Sequence, residues 1–360
     1  MKSLLGIPKA KVMIGLLIGI GLLFLVSRFV NLSYTFHVLL QNLTTPRGLF
    51  LAFLSGIAFL SAFSVRGIRW KLFLNPIGNV STFTAIRLFL ISIFINFLLP
   101  ISSGDIAKTL MLKRTAAIPI SQSLPTVAMD RSMDLLPAFF IILLVPLLGM
   151  HMDIKLWLVL CFVAGLFIAL IFFVILAALK RDAAITLLSK TTGILPKTYG
   201  SKITAFATSF VDSLLTGVRR PRTFMFAVLL TCVAVTFDSL FAMLAFWTIG
   251  FPISFWTAIF GYTIFNMFFI LPTPPGQLGS NEAVGLLVFA GLLHLSPNVV
   301  TAMIIFSHPW AAILMCTAGI MSLKAMGLTL PTAMRRQAEV SEEALLPEQE
   351  ETPALYSYYE

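Results

Sequence analysis

The stretch Leu271-Pro272-Thr273-Pro274-Pro275-Gly276-Gln277-Leu278-Gly279-Ser280-Asn281-Glu282 decides the fold. Three prolines and two glycines interrupt apolar sequence long enough to lie inside a membrane. Such a break removes intrahelical hydrogen bonds in a solvent that cannot replace them. Lipid-facing backbone does not tolerate this, so the segment is expected to be buried in protein or to line a wet cavity. It ends in Ser280, Asn281 and Glu282, which read as the cap and first turn of a new helix. Non-helical backbone at Gly276 and Gly279, a helix start at Asn281 and an acid at Glu282 are the parts of a membrane substrate site.

A shorter version lies earlier: Asn96-Phe97-Leu98-Leu99-Pro100-Ile101-Ser102-Ser103-Gly104-Asp105. Placing Pro100 on Pro272 also places Gly104 on Gly276. Each break follows an apolar run carrying one asparagine, Asn96 in the first and Asn266 in the second. Paired interruptions in two halves point to an internal repeat with its site between the halves.

Composition agrees. Of 360 residues, 58% are hydrophobic and 11% charged, where a soluble domain carries roughly 25% charged residues. With a mean hydropathy of +0.97, the chain is expected to be an all-α polytopic membrane protein. The net charge of +10 fits basic residues at membrane ends and anionic headgroups at the cytoplasmic face, and does not require nucleic acid.

Outward from the breaks, six full spans are expected at about 12–26, 47–65, 122–148, 156–179, 223–247 and 299–323. Residues 31–46 read as a polar loop. Residues 84–118 are too short and too interrupted for a comfortable span, which needs about 20 apolar residues, so they read as a re-entrant hairpin. Residues 254–295 read as a second hairpin. Eight spans are the alternative. The whole of 1–330 is one transmembrane domain, with half one about 12–148 and half two about 156–323. Residues 180–222 form a basic cytoplasmic segment in which Ile203, Phe206, Phe210, Leu214 and Leu215 recur at helical spacing, as in a surface helix. Residues 331–360 are an acidic tail expected to be disordered. The run after Lys2, Lys9 and Lys11 lacks a small-residue cleavage site and reads as an uncleaved first helix.

This topology puts 21 of the 25 Lys and Arg on one side, which is then the cytoplasmic side, with both termini there. The first hairpin enters from the cytoplasm and the second from outside. The halves then run in opposite directions, an inverted repeat suited to alternating access.

Ionisable residues at membrane depth cost roughly 2.5–3.5 kcal/mol each and need a partner or a purpose. Here they are Asp105, Asp130, Arg131, Asp134, Asp238 and Glu282. Asp130 and Asp134 share a helix face, with Arg131 beside it. A guanidinium can hold a phosphate with two parallel hydrogen bonds, so Arg131 reads as a headgroup ligand tuned by the acids. A purely structural ion-pair network is the other reading. Asp105 reads equally as an N-cap. Lys108, one turn on, could snorkel to a headgroup or to water. Nothing in its own segment partners Asp238. The four histidines have no ligand spacing, the three cysteines read as small apolar fillers, and no metal or cofactor is expected. No phosphate-binding loop, dinucleotide fingerprint or His-Glu-x-x-His is present.

Three stretches taken together resemble the flippase-like family that includes the transmembrane domain of lysylphosphatidylglycerol synthases. They are Asn96 to Lys108, Val127-Ala128-Met129-Asp130-Arg131-Ser132-Met133-Asp134, and Pro272 to Glu282. They occur in that family's order, and the resemblance covers roughly residues 10–325. Lys108 stands where Arg is common, Asp130 where Glu is common, and Gln277 where a second Gly is common. The resemblance implies movement of a lipid, often aminoacylated or glycosylated, between leaflets of a prokaryotic inner membrane. The synthases carry an additional soluble aminoacyl-transferase domain, for which the tail here is too short, so synthase activity is not implied.

Two other functional readings remain open on the sequence. One is an integral membrane enzyme acting on lipid-linked sugars or phosphates through Asp105, Asp130 and Glu282. The other is a partner subunit that recruits a cytoplasmic or membrane synthase through residues 180–222.

Overall fold

The computed structural model describes residues 9–28, 30–99, 103–134, 136–137, 221–268 and 273–329, with isolated positions at 161, 165, 172, 180, 183 and 186. The expected helix at 156–179, the basic segment 180–222 and the acidic tail fall almost wholly outside the described residues, as does most of 135–148.

The described chain is helical, with no strand among the described residues. In order it forms α1 (Lys9–Ser27), α2 (Leu32–Leu43), α3 (Pro46–Leu74), α4 (Thr82–Leu98), α5 (Ser103–Ala116) and α6 (Ile120–Met133). There follow α7 (Pro221–Thr248), α8 (Phe255–Phe268), α9 (Ser280–Gly285) and α10 (Pro297–Ala325). A 3-10 turn, Pro275–Gln277, precedes α9, and a π-helical stretch, Leu286–Leu292, continues it. By length and composition α3, α7 and α10 can each cross a membrane, and the pair α1–α2, bent by 90°, makes a fourth if counted as one span.

Two expectations need correction. Residues 31–46 are not a loop: Asn31 caps α2 by accepting from the Tyr34 N–H at 3.1 Å, and Thr35 and Leu39 turn inward on one face. The helix of the second span, expected over about 47–65 and closed by Arg66, Arg69 and Lys71, runs further. Thr45 accepts from the Gly48 N–H, Pro46 starts the helix, and α3 runs 29 residues to Leu74. At 1.5 Å per residue it is about 43 Å long, against a hydrocarbon core of about 30 Å. Its last turns carry Arg66 and Arg69, which turn into the protein rather than out to water.

The longest packed interface joins α3 and α7. Phe59 packs on Phe241 with ring centroids 5.0 Å apart, Arg66 pairs with Asp238, and Arg69 reaches Thr231. Residue numbers rise along one helix as they fall along the other, so the two run antiparallel.

α3 and α7 are each followed by a hairpin, and the two hairpins begin alike. Ser81-Thr82-Phe83-Thr84-Ala85-Ile86 opens α4 and Ser254-Phe255-Trp256-Thr257-Ala258-Ile259 opens α8. In each the serine Oγ accepts from the threonine N–H at 3.1 Å and meets its hydroxyl at 2.8 Å. The alanines are fully buried, while Phe83 and Trp256 are 73% and 76% exposed. Tryptophan is enriched at membrane–water interfaces, where its amphipathic ring sits at headgroup level.

Hairpin one is α4 with α5. Asn96 Oδ1 accepts from the Gly104 N–H at 2.7 Å, and a Cβ on Gly104 would overlap the Ser92 carbonyl. Hairpin two is α8 with α9 and leans on α1. Gly279, at φ +73°, lies so close to the Gly19 carbonyl that a side chain would collide with it. One apolar core surrounds α4 through Trp70, Leu88, Ile91 and Ile95. A second lies between α7, α8 and α10 through Phe246, Phe289, Val300 and Ile304.

Candidate functional site

Four helices bring eight charged side chains together. Arg66 and Arg69 are one turn apart on α3, and Asp105 and Lys108 one turn apart on α5. Asp130, Arg131 and Asp134 come from the end of α6, and Asp238 from the middle of α7. Four cations and four carboxylates make the cluster formally neutral.

Arg69 is its buried centre. Nε donates to Asp130 Oδ1 at 2.8 Å, and Nη2 to Asp134 Oδ1 at 2.7 Å and to the Asp130 carbonyl at 3.0 Å. Nη1 donates to Thr231 Oγ1 at 2.9 Å. This ties α3, α6 and α7 through one guanidinium, and it engages a carbonyl that the end of α6 leaves without an intrahelical partner. Arg66 forms two parallel hydrogen bonds with Asp238 and lies 3.5 Å from Asp134. The partner Asp238 lacks in its own segment is therefore on α3.

Lys108 does not snorkel. It is fully buried, with Nζ 4.7 Å from the ring centroids of both Trp70 and Phe89. Its ammonium is 3.4 Å from Asp105 and 3.9 Å from Asp130. Neither Nζ nor Asp130 Oδ2 makes a hydrogen bond among the described residues, so this side of the network has slack. Asp105 is not an N-cap; it sits in the first turn of α5 and faces Arg131.

Arg131 is the cluster's exposed member. Its Nε and Nη2 each donate to an Asp105 oxygen at 3.0 Å. Yet 46% of its side chain is accessible, against 0% for Arg69 and 12% for Arg66. Asp105 thus occupies a two-pronged anion site that opens outward.

A second, smaller constellation lies at hairpin two. His308 of α10 meets Glu282 Oε1 through Nδ1 at 2.8 Å and the Gly276 carbonyl through Nε2 at 2.9 Å. Phe97, at the end of α4, sets its ring edge-on to the imidazole at 6.3 Å, so the ends of the two hairpins converge here. Gln277 has φ +55°, in the left-handed region that glycine enters without steric cost. That is the position where the resembled family commonly carries glycine.

Of the expected site residues, Asp105, Lys108, Asp130, Arg131 and Asp134 are gathered in the first cluster, and Gly276 and Glu282 in the second. Asn281 is buried beside Glu282, and Gly279 packs on α1. Asn96 ties hairpin one together, and Asn266 is half-buried on α8, in neither cluster. Sequence reading missed Arg66, Arg69, Thr231 and His308. The available signal was charge balance: Asp238, a lone acid inside a span, required a cation, and Arg66 and Arg69 share one helix face. Among the described residues no three His, Cys, Asp or Glu side chains converge as metal ligands.

No curated protein and no solved structure matches the chain. The family model for the lysylphosphatidylglycerol synthase TM region matches residues 12–319. That span takes in both hairpins, both charge constellations, α3, α7 and most of α10, so the chain is an integral membrane protein belonging to the lysylphosphatidylglycerol synthase transmembrane family.

Proposed function

We propose that this protein moves a phospholipid, or another anionic, aminoacylated or glycosylated lipid, between membrane leaflets. Arg131 is the headgroup ligand. The observation that carries the reading is the two-pronged Arg131–Asp105 pair on a half-exposed guanidinium. A lipid phosphate presents the same pair of acceptor oxygens as a carboxylate and can take its place. The neutrality of the cluster adds a preference. A phosphate that displaces Asp105 brings one excess negative charge, which an amine on the same headgroup offsets beside Asp105 or Asp134. Lys108 lies close enough to take Asp105 as it leaves Arg131.

The two halves act as an inverted repeat of a prokaryotic inner-membrane protein with both termini in the cytoplasm. Support comes from the antiparallel α3–α7 packing, the matching Ser-x-aromatic-Thr-Ala-Ile hairpin starts, and the convergence of the hairpin ends at His308. The enzyme reading gains no support, because Asp105, Asp130 and Glu282 are each engaged by Arg131, Arg69 and His308 respectively.

The test is leaflet exchange in vesicles containing purified protein and labelled phospholipids that differ in headgroup. Exchange of one headgroup class, lost in Arg131→Ala while the variant keeps its thermal unfolding profile, is expected. Exchange that is equal in the two proteins removes the reading.

A further inference from the structure

We propose that His308 and Glu282 form a proton-binding site that latches the second hairpin, so that proton release opens the break at Gly276. The latch itself stands apart from the transport reading. Only its coupling to lipid movement rests on that reading.

Hydrogen-bond bookkeeping carries the inference. The Gly276 carbonyl can only accept, so His308 Nε2, 2.9 Å away, must carry a hydrogen. A second hydrogen must lie between Nδ1 and Glu282 Oε1, at 2.8 Å. The ring and the carboxyl therefore hold two protons between them, as neutral imidazole with carboxylic acid or as imidazolium with carboxylate. Removing one leaves a single ring hydrogen for two acceptors: on Nε2 it leaves the Nδ1 lone pair facing the carboxylate, and on Nδ1 it leaves the Nε2 lone pair facing the Gly276 carbonyl, and either contact is repulsive. The other oxygen, Glu282 Oε2, is buried with no hydrogen-bond partner among the described residues and cannot compensate. In either tautomer one of the two contacts fails, so the link from Glu282 through the imidazole to the Gly276 carbonyl is broken.

The surroundings make this pair the responsive one. Segments packed on α10 include α2, α3, α4, α7, α9 and the π-helical stretch. Their ionisable groups are Tyr34 and His37 on α2, Arg47, Arg66, Arg69 and Lys71 on α3, Arg87 on α4, Arg222, Cys232 and Asp238 on α7, and Glu282 on α9. α10 adds its own Cys316 and Lys324. Among the described residues Glu282 is the one that pairs with the imidazole. Arg66, Arg69 and Asp238 are engaged in the first cluster, and among the described residues α4 meets the ring through the edge of Phe97.

The sign follows. The latched state holds one proton more than separated carboxylate and neutral imidazole, so low pH favours latching and rising pH favours opening. One proton changes the latched-to-open ratio by up to about tenfold per pH unit.

The experiment uses the full chain in phospholipid vesicles, with Cys161, Cys232 and Cys316 replaced by alanine and Ser280→Cys as reporter. Labelling by a small thiol reagent is followed from about pH 5 to about pH 8, the range in which histidine titrates. Rates are divided by those of the same protein carrying Glu282→Gln, which cancels the reagent's own pH dependence. A glutamine amide donates to Nδ1 without an added proton, so that variant stays latched. The ratio is expected to rise with pH by up to about tenfold per unit. His308→Gln and His308→Ala are expected to label fast relative to Glu282→Gln at every pH. A ratio that is flat, or a His308 variant as slow as Glu282→Gln throughout, overturns the latch. Arg131→Ala in the same background separates the two proposals. A pH-dependent ratio that persists there while lipid exchange is absent from the wild type sinks the transport reading and leaves the latch standing.

Discussion

Asp105 and Arg131 are 26 residues apart in the chain and meet through two hydrogen bonds of 3.0 Å. Glu282 and His308 are also 26 residues apart and meet at 2.8 Å. In both pairs the acid lies in the first turn after a hairpin break and the cation on the next helix. The pairs differ in one chemical respect. Arginine keeps its charge across all physiological pH, whereas histidine carries one only when protonated. The pair at the first hairpin is therefore a permanent ion pair, and the pair at the second is ionic only with a protonated imidazole.

The geometry at Arg131 separates charge from shape. Arg131→Lys keeps the positive charge but cannot make two parallel hydrogen bonds to one phosphate. Lipid exchange is expected to fall about tenfold or more in Arg131→Ala, and by an intermediate amount in Arg131→Lys, the scale of losing one or both charge-assisted hydrogen bonds. Exchange rates for the two variants in the same vesicles check this.

Burial predicts unequal stability losses for two arginines of one cluster. Arg69→Met leaves Asp130 and Asp134 facing each other without their shared guanidinium, a loss of about 3–5 kcal/mol. Arg131→Ala removes a half-exposed group and is expected to cost under about 1 kcal/mol. Chemical unfolding in detergent micelles is the measurement, and equal losses would contradict the assignment.

The tie between α3 and α7 is testable by a double-mutant cycle. Arg66→Met and Asp238→Leu each strand a partner charge, whereas the double variant strands neither. The double variant is expected to be more stable than the sum of the single losses predicts, by about 0.5–3 kcal/mol. Additive losses would mean that the pair does not act as a unit.

Phe83 and Trp256 mark the bases of the two hairpins, and an inverted repeat places them at opposite membrane faces. Phe83→Cys is expected to react with an impermeant thiol reagent from the cytoplasmic side only, and Trp256→Cys from the other side only, in a background lacking the native cysteines. Labelling of both from one side would rule the inversion out.

Much of the helical framework was legible because the membrane writes it plainly. α7 and α10 lie within two residues of where apolar runs place them, and both breaks were marked by proline and glycine. What escaped depended on distant contacts. Basic residues closing an apolar run ordinarily face water, and nothing near Arg66 or Arg69 says otherwise; only aspartates 61 and 172 residues away turn them inward. That reassignment also takes Arg66, Arg69 and Lys108 out of the tally of cytoplasmic surface charge. α2 hid for the opposite reason. Its buried stripe is as narrow as Thr35 and Leu39, and its exposed face mixes Leu32, Phe36 and Leu40 with Ser33 and His37. A lone His308 carried no spacing signal, since its partners are one acid and a backbone carbonyl.

The α3–α7 seam also bears on how the protein is made. Arg66 enters the bilayer long before its partner, because Asp238 is 172 residues downstream. At a translation rate of about 5–20 residues per second, the arginine waits roughly ten to thirty seconds for that carboxylate. During the wait Arg66 has Asp134 as its acid, and the cluster's four cations, Arg66, Arg69, Lys108 and Arg131, face three carboxylates, an excess of one positive charge that lasts until Asp238 arrives.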